Sequence, residues 1–287
     1  MAKDTIIGQK SSLLLKGKTI DFSSPKTMGI LNITPDSFFD GGQYGKSDAL
    51  IKKAGQHLDE GATLLDIGAA SSRPGAEILN PAMEWDRLAP ALETILRQFP
   101  EALISIDTYH SMVAEKAIQM GAAMVNDISA GSMDADMLKT VAALNVPYAM
   151  MHMRGNPKNM QNNCDYSNIT EEIFNYFSQK IDLLKSNAIQ HFCIDLGFGF
   201  SKTLEQNHLL LHQLKAFEAF DCPMILGLSR KSMFYKLLET SPQEALNATT
   251  VGHTIALMQK QNMILRVHDV KAAMEAIKIV TLAQTLD

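Results

Sequence analysis

The chain alternates between short apolar runs and longer amphipathic stretches. Eight of the apolar runs end in polar residues that a buried strand does not need for packing: Thr27–Ile33, Thr63–Gly68, Leu103–Asp107, Ala123–Asp127, Pro147–His152, Phe192–Gly197, Met224–Ser229 and Met263–Asp269. Runs of this length, separated by stretches long enough for a helix, are typical of repeated βα units around a parallel sheet. Eight units predict an α/β fold of the closed (β/α)8 barrel type, whose active sites lie at the C-terminal ends of the strands.

Amphipathic patterns fill the intervals between the runs. They predict helices over Ser47–Glu60, Pro81–Gln98, Ser111–Met120, Asp134–Leu144, Asn168–Asn187, Leu204–Ala219, Lys231–Leu238, Pro242–Gln261 and Val270–Leu286. Two connections, Thr34–Lys46 and Ala69–Asn80, are long and contain Gly and Pro. Because loops of this length often cover binding sites, we expect both to close over a ligand.

Length and composition favour a single domain. The chain has 287 residues, of which 46% are hydrophobic and 20% are charged, values that are ordinary for a globular protein with a large core. We expect the barrel to occupy residues 20–287 and the N-terminal segment 1–19 to pack against it.

Charge and cysteine content exclude several classes of function. The formal net charge is −5 and the basic residues are scattered, so no surface for nucleic acid is expected. No apolar stretch is long enough for a signal peptide or a membrane span. Cys164, Cys193 and Cys222 lack the spacing of a disulfide framework or a metal site, which fits a reducing compartment. We therefore expect a cytoplasmic protein that binds neither nucleic acid nor membrane.

Two carboxylates end runs that should be buried on both faces, Asp107 and Asp195. An unpaired carboxylate there destabilises the fold, so for either residue alone a salt bridge within the barrel is an equally good explanation. Together with Asn126 after the fourth run and Lys231 after the seventh, they suit a planar heterocycle with several donors and acceptors. One carboxylate that accepts two N–H groups from an amino-pyrimidine edge makes a strong charge-assisted pairing.

Groups that can carry positive charge follow the seventh and eighth runs. The segments Ser229-Arg230-Lys231-Ser232 and Arg266-Val267-His268-Asp269 lie where barrels often bind phosphate, and Arg73 in the second long loop adds a bidentate donor. A solvated basic rim is the alternative, more so for the first segment than for the second. Asn32, at the end of the first run, could orient Mg2+ or a phosphate oxygen, or it could be only a turn residue.

Eight segments match, in order, the motifs of a known family. They are MGILNITPDSFFDGG (28–42), LLDIGAASSRPGA (64–76), ISIDT (104–108), VNDISAG (125–131), MHMRGNPKNMQ (151–161), IDLGFGFSK (194–202), LGLSRKS (226–232) and RVHDV (266–270). They span roughly residues 20–285 and lie at strand ends. The chain resembles the dihydropteroate synthases, the pterin-binding (β/α)8 barrels of folate biosynthesis.

The resemblance implies a transferase that condenses (7,8-dihydropterin-6-yl)methyl diphosphate with 4-aminobenzoate, giving 7,8-dihydropteroate and diphosphate. It also implies Mg2+, a homodimer and inhibition by sulfonamides. Because the arylamine is a weak nucleophile, we expect an SN1-like transfer without a covalent enzyme intermediate. The late helices offer apolar candidates for the dimer interface: Leu237, Leu238, Ala256, Leu257 and Met258.

The resemblance further implies which residues bind each part of the substrates. The pterin is held by Asp107, Asn126, Asp195, Lys231 and Arg266. The diphosphate is held by Asn32 through Mg2+ and by Arg73, Arg266 and His268. The site for 4-aminobenzoate is formed by Phe38, Arg73, Pro74, Phe200, Lys231 and Ser232. The residues expected to act in catalysis are Asp107, Lys231 and Arg266.

Four positions depart from the family pattern. Phe39, Ala70, Ser72 and Leu196 stand where serine, an acidic residue, threonine and proline are usual. We expect them to change loop packing and the affinity for 4-aminobenzoate and sulfonamides rather than the reaction.

Two other functions remain open from the sequence. One is a methyltetrahydrofolate:corrinoid methyltransferase barrel, which uses similar strand-end groups but has no use for a diphosphate site. The other is a paralogue that binds pterins without turnover, an alternative that Phe39 and Ala70 leave open.

Overall fold

The predicted barrel is present. In the computed structural model, which describes residues 11–33, 43–71, 75–259 and 262–286, eight parallel strands close in the order β10-β3-β4-β5-β6-β7-β8-β9. Their bounds are β3 Lys26–Asn32, β4 Leu64–Gly68, β5 Ile104–Asp107, β6 Met124–Asp127, β7 Tyr148–Met151, β8 Phe192–Asp195, β9 Met224–Leu226 and β10 Met263–Val267.

Several strands end earlier than their apolar runs. The sixth run was expected to continue to Gly197 and the seventh to Ser229, but the register between these strands ends at Asp195 and Ile225. The chain then turns through left-handed backbone, with φ of +68° at Gly197 and +55° at Arg230. The polar residues that end the runs therefore lie in loops above the barrel rather than in the strands.

A helix follows each strand of the barrel. The helices are α1 Gln43–Asp59, α2 Pro81–Gln98, α3 Ser111–Met120, α4 Met137–Leu144, α5 Ile169–Ser186, α6 Leu204–His212, α7 Ser232–Tyr235, α8 Leu246–Leu257 and α9 Val270–Thr285. Within the described ranges, none combines the length and apolar character needed to cross a lipid bilayer.

Several predicted helices are shorter than the sequence pattern suggested, among them the one expected over Lys231–Leu238, which spans only Ser232–Tyr235. The helix expected over Leu204–Ala219 ends at His212, and a 3-10 helix follows at Leu214–Phe220. Leu214 and Phe217 are buried, and this spacing of three residues matches the 3-10 period rather than the α-helical one. The helix expected from Pro242 begins only at Leu246.

An antiparallel hairpin, β1 (Ser12–Leu15) and β2 (Lys18–Asp21), precedes the barrel. The expected domain boundary at residue 20 falls inside β2. Leu13, Leu15 and Phe22 join an apolar cluster whose other members lie at or near the N-terminal ends of the barrel strands: Met28, Leu64, Leu103, Met124, Ala149, Cys193, Ile225 and Ile264. The hairpin therefore closes the end of the barrel opposite to the polar strand ends.

We predict that this closure stabilises the whole barrel. Leu15→Ala is expected to lower the free energy of unfolding by about 2–5 kcal/mol, because it removes a fully buried side chain and leaves a cavity. Leu14→Ala is the matched control on the same strand, since Leu14 is 38% exposed whereas Leu15 is 0% exposed. Urea denaturation measures both variants, and equal losses would show that the hairpin does not contribute to the core.

Candidate active site

The polar strand ends converge on one cavity that is partly open to solvent. Its lining includes all five residues expected to hold the pterin, together with apolar and glycine positions: Asp107, Asn126, Ile128, Met151, Asp195, Gly197, Phe198, Phe200, Gly227, Lys231 and Arg266. Parallel register brings these groups together, because Asp107 pairs with Asn126 on the next strand.

The guanidinium of Arg266 lines this cavity. Its Nε donates to Asp66 Oδ2 at 2.6 Å and its Nη2 donates to Asp107 Oδ2 at 2.7 Å. Burial opposes the charge on Arg266, but the carboxylates of Asp66 and Asp107 outweigh it, and the pKa of Arg266 is raised. Arg266 is therefore a permanent cation with a fixed plane.

Asp66 is a member of the site to which the sequence analysis gave no role. Its side chain is fully buried, and Asn126 Nδ2 donates to its two oxygens at 3.3 and 3.2 Å. Leu65 and Ile67 pack into the outer apolar cluster of the barrel, so the alternation of the strand directs Asp66 inward. The available indication was a carboxylate in the middle of the apolar run LLDIG, rather than at its end.

Asp107 and Asp195 have different surroundings. Burial raises the pKa of Asp107, although the Arg266 guanidinium opposes this shift, and the salt bridge considered as an alternative for this residue exists. Asp195 Oδ1 accepts the backbone N–H of Gly197 at 2.8 Å, while its Oδ2 lies 3.8 Å from where a Cβ on Gly227 would be. Burial also raises the pKa of Asp195, and its second oxygen is available to a ligand.

Lys231 also lines the cavity and interacts electrostatically with Asp195. Its Nζ lies 4.4 Å from the centroid of the Phe200 ring, a cation–π distance. Burial lowers the pKa of Lys231 to about 8, while the charge of Asp195 opposes the shift. Ser232, expected at the same subsite, follows directly as the first residue of α7.

The candidate cations His268 and Arg230, after β10 and β9, have different surroundings. Burial, with Arg266 nearby, lowers the pKa of His268 to about 4, so its imidazole is neutral at pH 7. Its Nδ1 lies 3.0 Å from Ser229 Oγ. Arg230 is paired with Asp269, Nη2 to Oδ1 at 2.8 Å, and thus belongs to the rim rather than to the cavity.

Comparison with known proteins identifies the family. Residues 28–268 match the model of the pterin binding enzyme family. A protein of Escherichia coli named dihydropteroate synthase is 39% identical over 270 residues, which cover 93% of this chain and 95% of that protein. The chain belongs to the dihydropteroate synthases. It is thus a transferase of folate biosynthesis, as the resemblance implied.

Solved structures of dihydropteroate synthases share the fold. One from Yersinia pestis, in complex with a sulfonamide drug, has a TM-score of 0.89 and 38% identity and covers 96% of this chain and 99% of its own. One from Xanthomonas albilineans, with 4-aminobenzoic acid, has a TM-score of 0.88 and 32% identity and covers 96% of this chain and 98% of its own. These relatives support a synthase rather than a corrinoid methyltransferase.

Two positions that depart from the synthase pattern are packing residues. Leu196 is fully buried in the main apolar cluster. Ala70 packs against a small cluster near the cavity that contains Phe200 and Ile128. The other departures, Phe39 and Ser72, lie outside the described residues, as do three residues expected to bind ligand: Phe38, Arg73 and Pro74.

We predict that Asp66 maintains the site by compensating Arg266. Asp66→Asn is expected to lower the free energy of unfolding by about 3 kcal/mol, because it leaves a buried cation with one carboxylate fewer. Asp269→Asn is the matched control, since Asp269 and Arg230 are 25% and 35% exposed and such pairs contribute about 1 kcal/mol or less. Denaturant titration of both variants checks this, and a loss no larger in Asp66→Asn contradicts it.

Proposed function

We propose that the strand-end cavity holds (7,8-dihydropterin-6-yl)methyl diphosphate beside 4-aminobenzoate and joins them with release of diphosphate. The observation that carries this proposal is one cavity that contains Asp107, Asn126, Asp195, Lys231 and Arg266. The carboxylates and the Asn126 amide can form hydrogen bonds with the polar groups of the pterin ring. Cations suit the charge that develops on a leaving anion.

Asp195 is proposed to recognise the pterin. Its Oδ2 faces the space left by Gly227, and an ionised carboxylate there can accept two N–H groups from the amino-pyrimidine edge. Asn126 donates its amide N–H to Asp66, which leaves its Oδ1 as an acceptor for the ring. The planar guanidinium of Arg266 is held in one orientation by two carboxylates, and its face is available for stacking on the pterin.

The diphosphate is proposed to lie between the ends of β3 and β10. Asn32, half-buried, ends β3 in register with Gly68, and His268 follows β10. A neutral imidazole still donates one N–H to a phosphate oxygen. Arg73 and the remaining N–H groups of Arg266 complete the proposed set.

The donor set fits a Mg2+ that arrives with the diphosphate. In the described part of the chain no three His, Cys, Asp or Glu side chains converge as a metal cluster. Mg2+ commonly takes one or two protein oxygens and completes its shell with phosphate oxygens and water, and the Asn32 amide oxygen is a suitable protein ligand. When bound, the ion would neutralise charge on the leaving diphosphate.

The proposed reaction is SN1-like. The bond between the pterin methylene carbon and the diphosphate oxygen breaks, and the oxygen keeps the electron pair. Asp107, which lies near Arg266 in the cavity, supplies negative potential to the resulting carbocation. The amine of 4-aminobenzoate then forms the new C–N bond and loses a proton. Phe200, Lys231 and Ser232, with Phe38, Arg73 and Pro74, are proposed to orient the arylamine.

We predict that Asp195→Asn abolishes most of the activity. Loss of the anionic acceptor should reduce kcat/KM by about 100-fold, as expected for a buried charge-assisted hydrogen bond. The measurement is diphosphate release from dihydropterin diphosphate and Mg2+, with and without 4-aminobenzoate.

Asp182→Asn, an exposed carboxylate on α5, is the matched control and should keep wild-type rates. Diphosphate release at the same rate without 4-aminobenzoate would indicate hydrolysis instead of condensation. Binding of pterin without any release would favour the non-catalytic paralogue.

We propose a cytoplasmic location, because the spacing of Cys164, Cys193 and Cys222 along the sequence is not that of a disulfide framework, as expected in a reducing compartment.

We also propose a homodimer that pairs through α8 and α9. These helices pack on each other and expose an apolar face: Val251, Ile255, Met258, Ile279 and Leu282 are 60%, 45%, 57%, 70% and 62% exposed. The sequence analysis chose Ala256 and Leu257 for this role, but they are 0% and 1% exposed because they face the core. Leu237, Leu238 and Met258 are exposed as an interface requires.

Sedimentation tests the dimer. Ile279→Glu is expected to give a monomer, because a two-fold interface places the new charge near its own copy. Leu183→Glu, at a residue that is 42% exposed on α5, is the control and should stay dimeric. A dimeric Ile279→Glu variant, or a monomeric wild type, would overturn the proposal.

A further inference from the structure

The loop between β8 and α6 forms one wall of the cavity through Gly197, Phe198 and Phe200. Its backbone is unusual, because φ is +68° at Gly197, +82° at Gly199 and +46° at Ser201. The left-handed conformation is unfavourable for a serine. Such a loop persists only where surrounding contacts hold it.

A buried ammonium lies beneath this loop. Lys202 is 3% exposed, and its Nζ lies 3.0 Å from each of three acceptors, Gly197 O, Phe200 O and His152 Nδ1. A protonated lysine has three N–H donors, which matches these three acceptors, and His152 O lies further away at 3.5 Å. The carbonyls of Gly197 and Phe200 belong to the ends of one turn, which the Phe200 N–H also closes by donating to Gly197 O at 3.0 Å.

The turn packs closely against the end of β7, where only glycine fits at position 197. A Cβ on Gly197 would lie 2.0 Å from His152 O, so the loop packs directly on the backbone that follows β7. Burial lowers the pKa of His152 well below its usual value. Its imidazole is therefore neutral, and Nδ1 can accept from the ammonium.

We propose that Lys202 is a positioning residue for the arylamine half of the reaction: by binding the carbonyls of Gly197 and Phe200 it fixes the Phe200 ring against Lys231. This inference rests on the proposed function, in which Phe200 and Lys231 orient 4-aminobenzoate. Lys202 does not line the cavity in the described structure, so it acts through the loop rather than on the substrate.

The rest of the loop has separate support. Asn207 Oδ1 accepts the Gly199 N–H at 2.7 Å, Gln161 Nε2 donates to Gly199 O at 3.1 Å, and Ser201 Oγ accepts the Arg154 N–H at 2.9 Å. Removing the ammonium should therefore loosen the turn at Gly197 and Phe200 without unfolding the barrel.

Lys202→Met tests the inference, because methionine fills similar volume without donors. Lys180→Met is the matched control: Lys180 Nζ donates to the carbonyl of Ala130 at 2.7 Å, in a different βα loop. Lys202→Gln keeps two N–H donors for the two carbonyls, which makes it an intermediate variant. Assays use wild-type and variant enzymes below pH 7, because burial lowers the pKa of Lys202 to about 7.

We expect Lys202→Met to raise the KM for 4-aminobenzoate by about 10-fold or more, in line with the loss of hydrogen bonds from a charged donor. The KM for the pterin diphosphate should change much less, and Lys202→Gln should lie between Lys202→Met and wild type. Lys180→Met should leave both KM values near wild type even if its unfolding temperature falls. An unchanged KM for 4-aminobenzoate in Lys202→Met and Lys202→Gln, with lowered unfolding temperatures, would reduce Lys202 to a stabilising role.

Hydrogen exchange separates this inference from the proposed function. The amides of Phe198–Ser201 should exchange faster in Lys202→Met than in wild type or Lys180→Met, whether or not the wild type condenses these substrates. Unchanged exchange at these amides overturns the positioning role. A wild type that releases no diphosphate on addition of 4-aminobenzoate overturns the proposed function alone.

Discussion

The guanidinium of Arg266 lies between Asp66 and Asp107, at 2.6 and 2.7 Å, and the arrangement of the cavity depends on this interaction. A buried carboxylate or guanidinium alone would be strongly unfavourable. Here three groups from three strands compensate one another inside the barrel. The result is a fixed cation with acceptors beside it, which is the condition for binding a polar heterocycle and a leaving anion together.

Carboxylates in similar sequence positions have different consequences because their donors differ. Asp127 also ends an apolar run, yet its oxygens accept the Tyr148 hydroxyl at 2.6 Å, the Ser129 N–H and hydroxyl at 2.7 Å and the Gly131 N–H at 2.8 Å. That carboxylate is fully occupied in holding its own loop. Asp195 Oδ1 accepts a single backbone N–H, from Gly197, and Asp195 lines the cavity. The free acceptor, not the residue type, is what makes Asp195 a candidate for ligand binding.

The barrel could be predicted from the sequence because eight apolar runs alternate with amphipathic helical patterns. This alternation follows from the packing of buried strands against the apolar faces of helices. The hairpin β1–β2 was missed, since Leu13, Leu14 and Leu15 form a continuous apolar run in which strand alternation is not visible. The role of Asp66 could not be assigned for a related reason: the run LLDIG does not show which side chain its carboxylate contacts across the barrel. The contact with Arg266 joins residues 200 positions apart, and only closure of the sheet brings them together.

The two ends of the barrel explain how such a site can be tolerated. At the N-terminal ends of the strands, Leu13, Leu15 and Phe22 complete an apolar cluster that excludes water and fixes the strand register. Register determines which side chains are neighbours at the other end, and it places Asp107 beside Asn126. Burial of charge around Arg266 and left-handed backbone near Phe200 both oppose folding locally. The apolar cluster at the N-terminal ends of the strands needs no polar partners, and it supplies the rigidity that these strained and charged elements require.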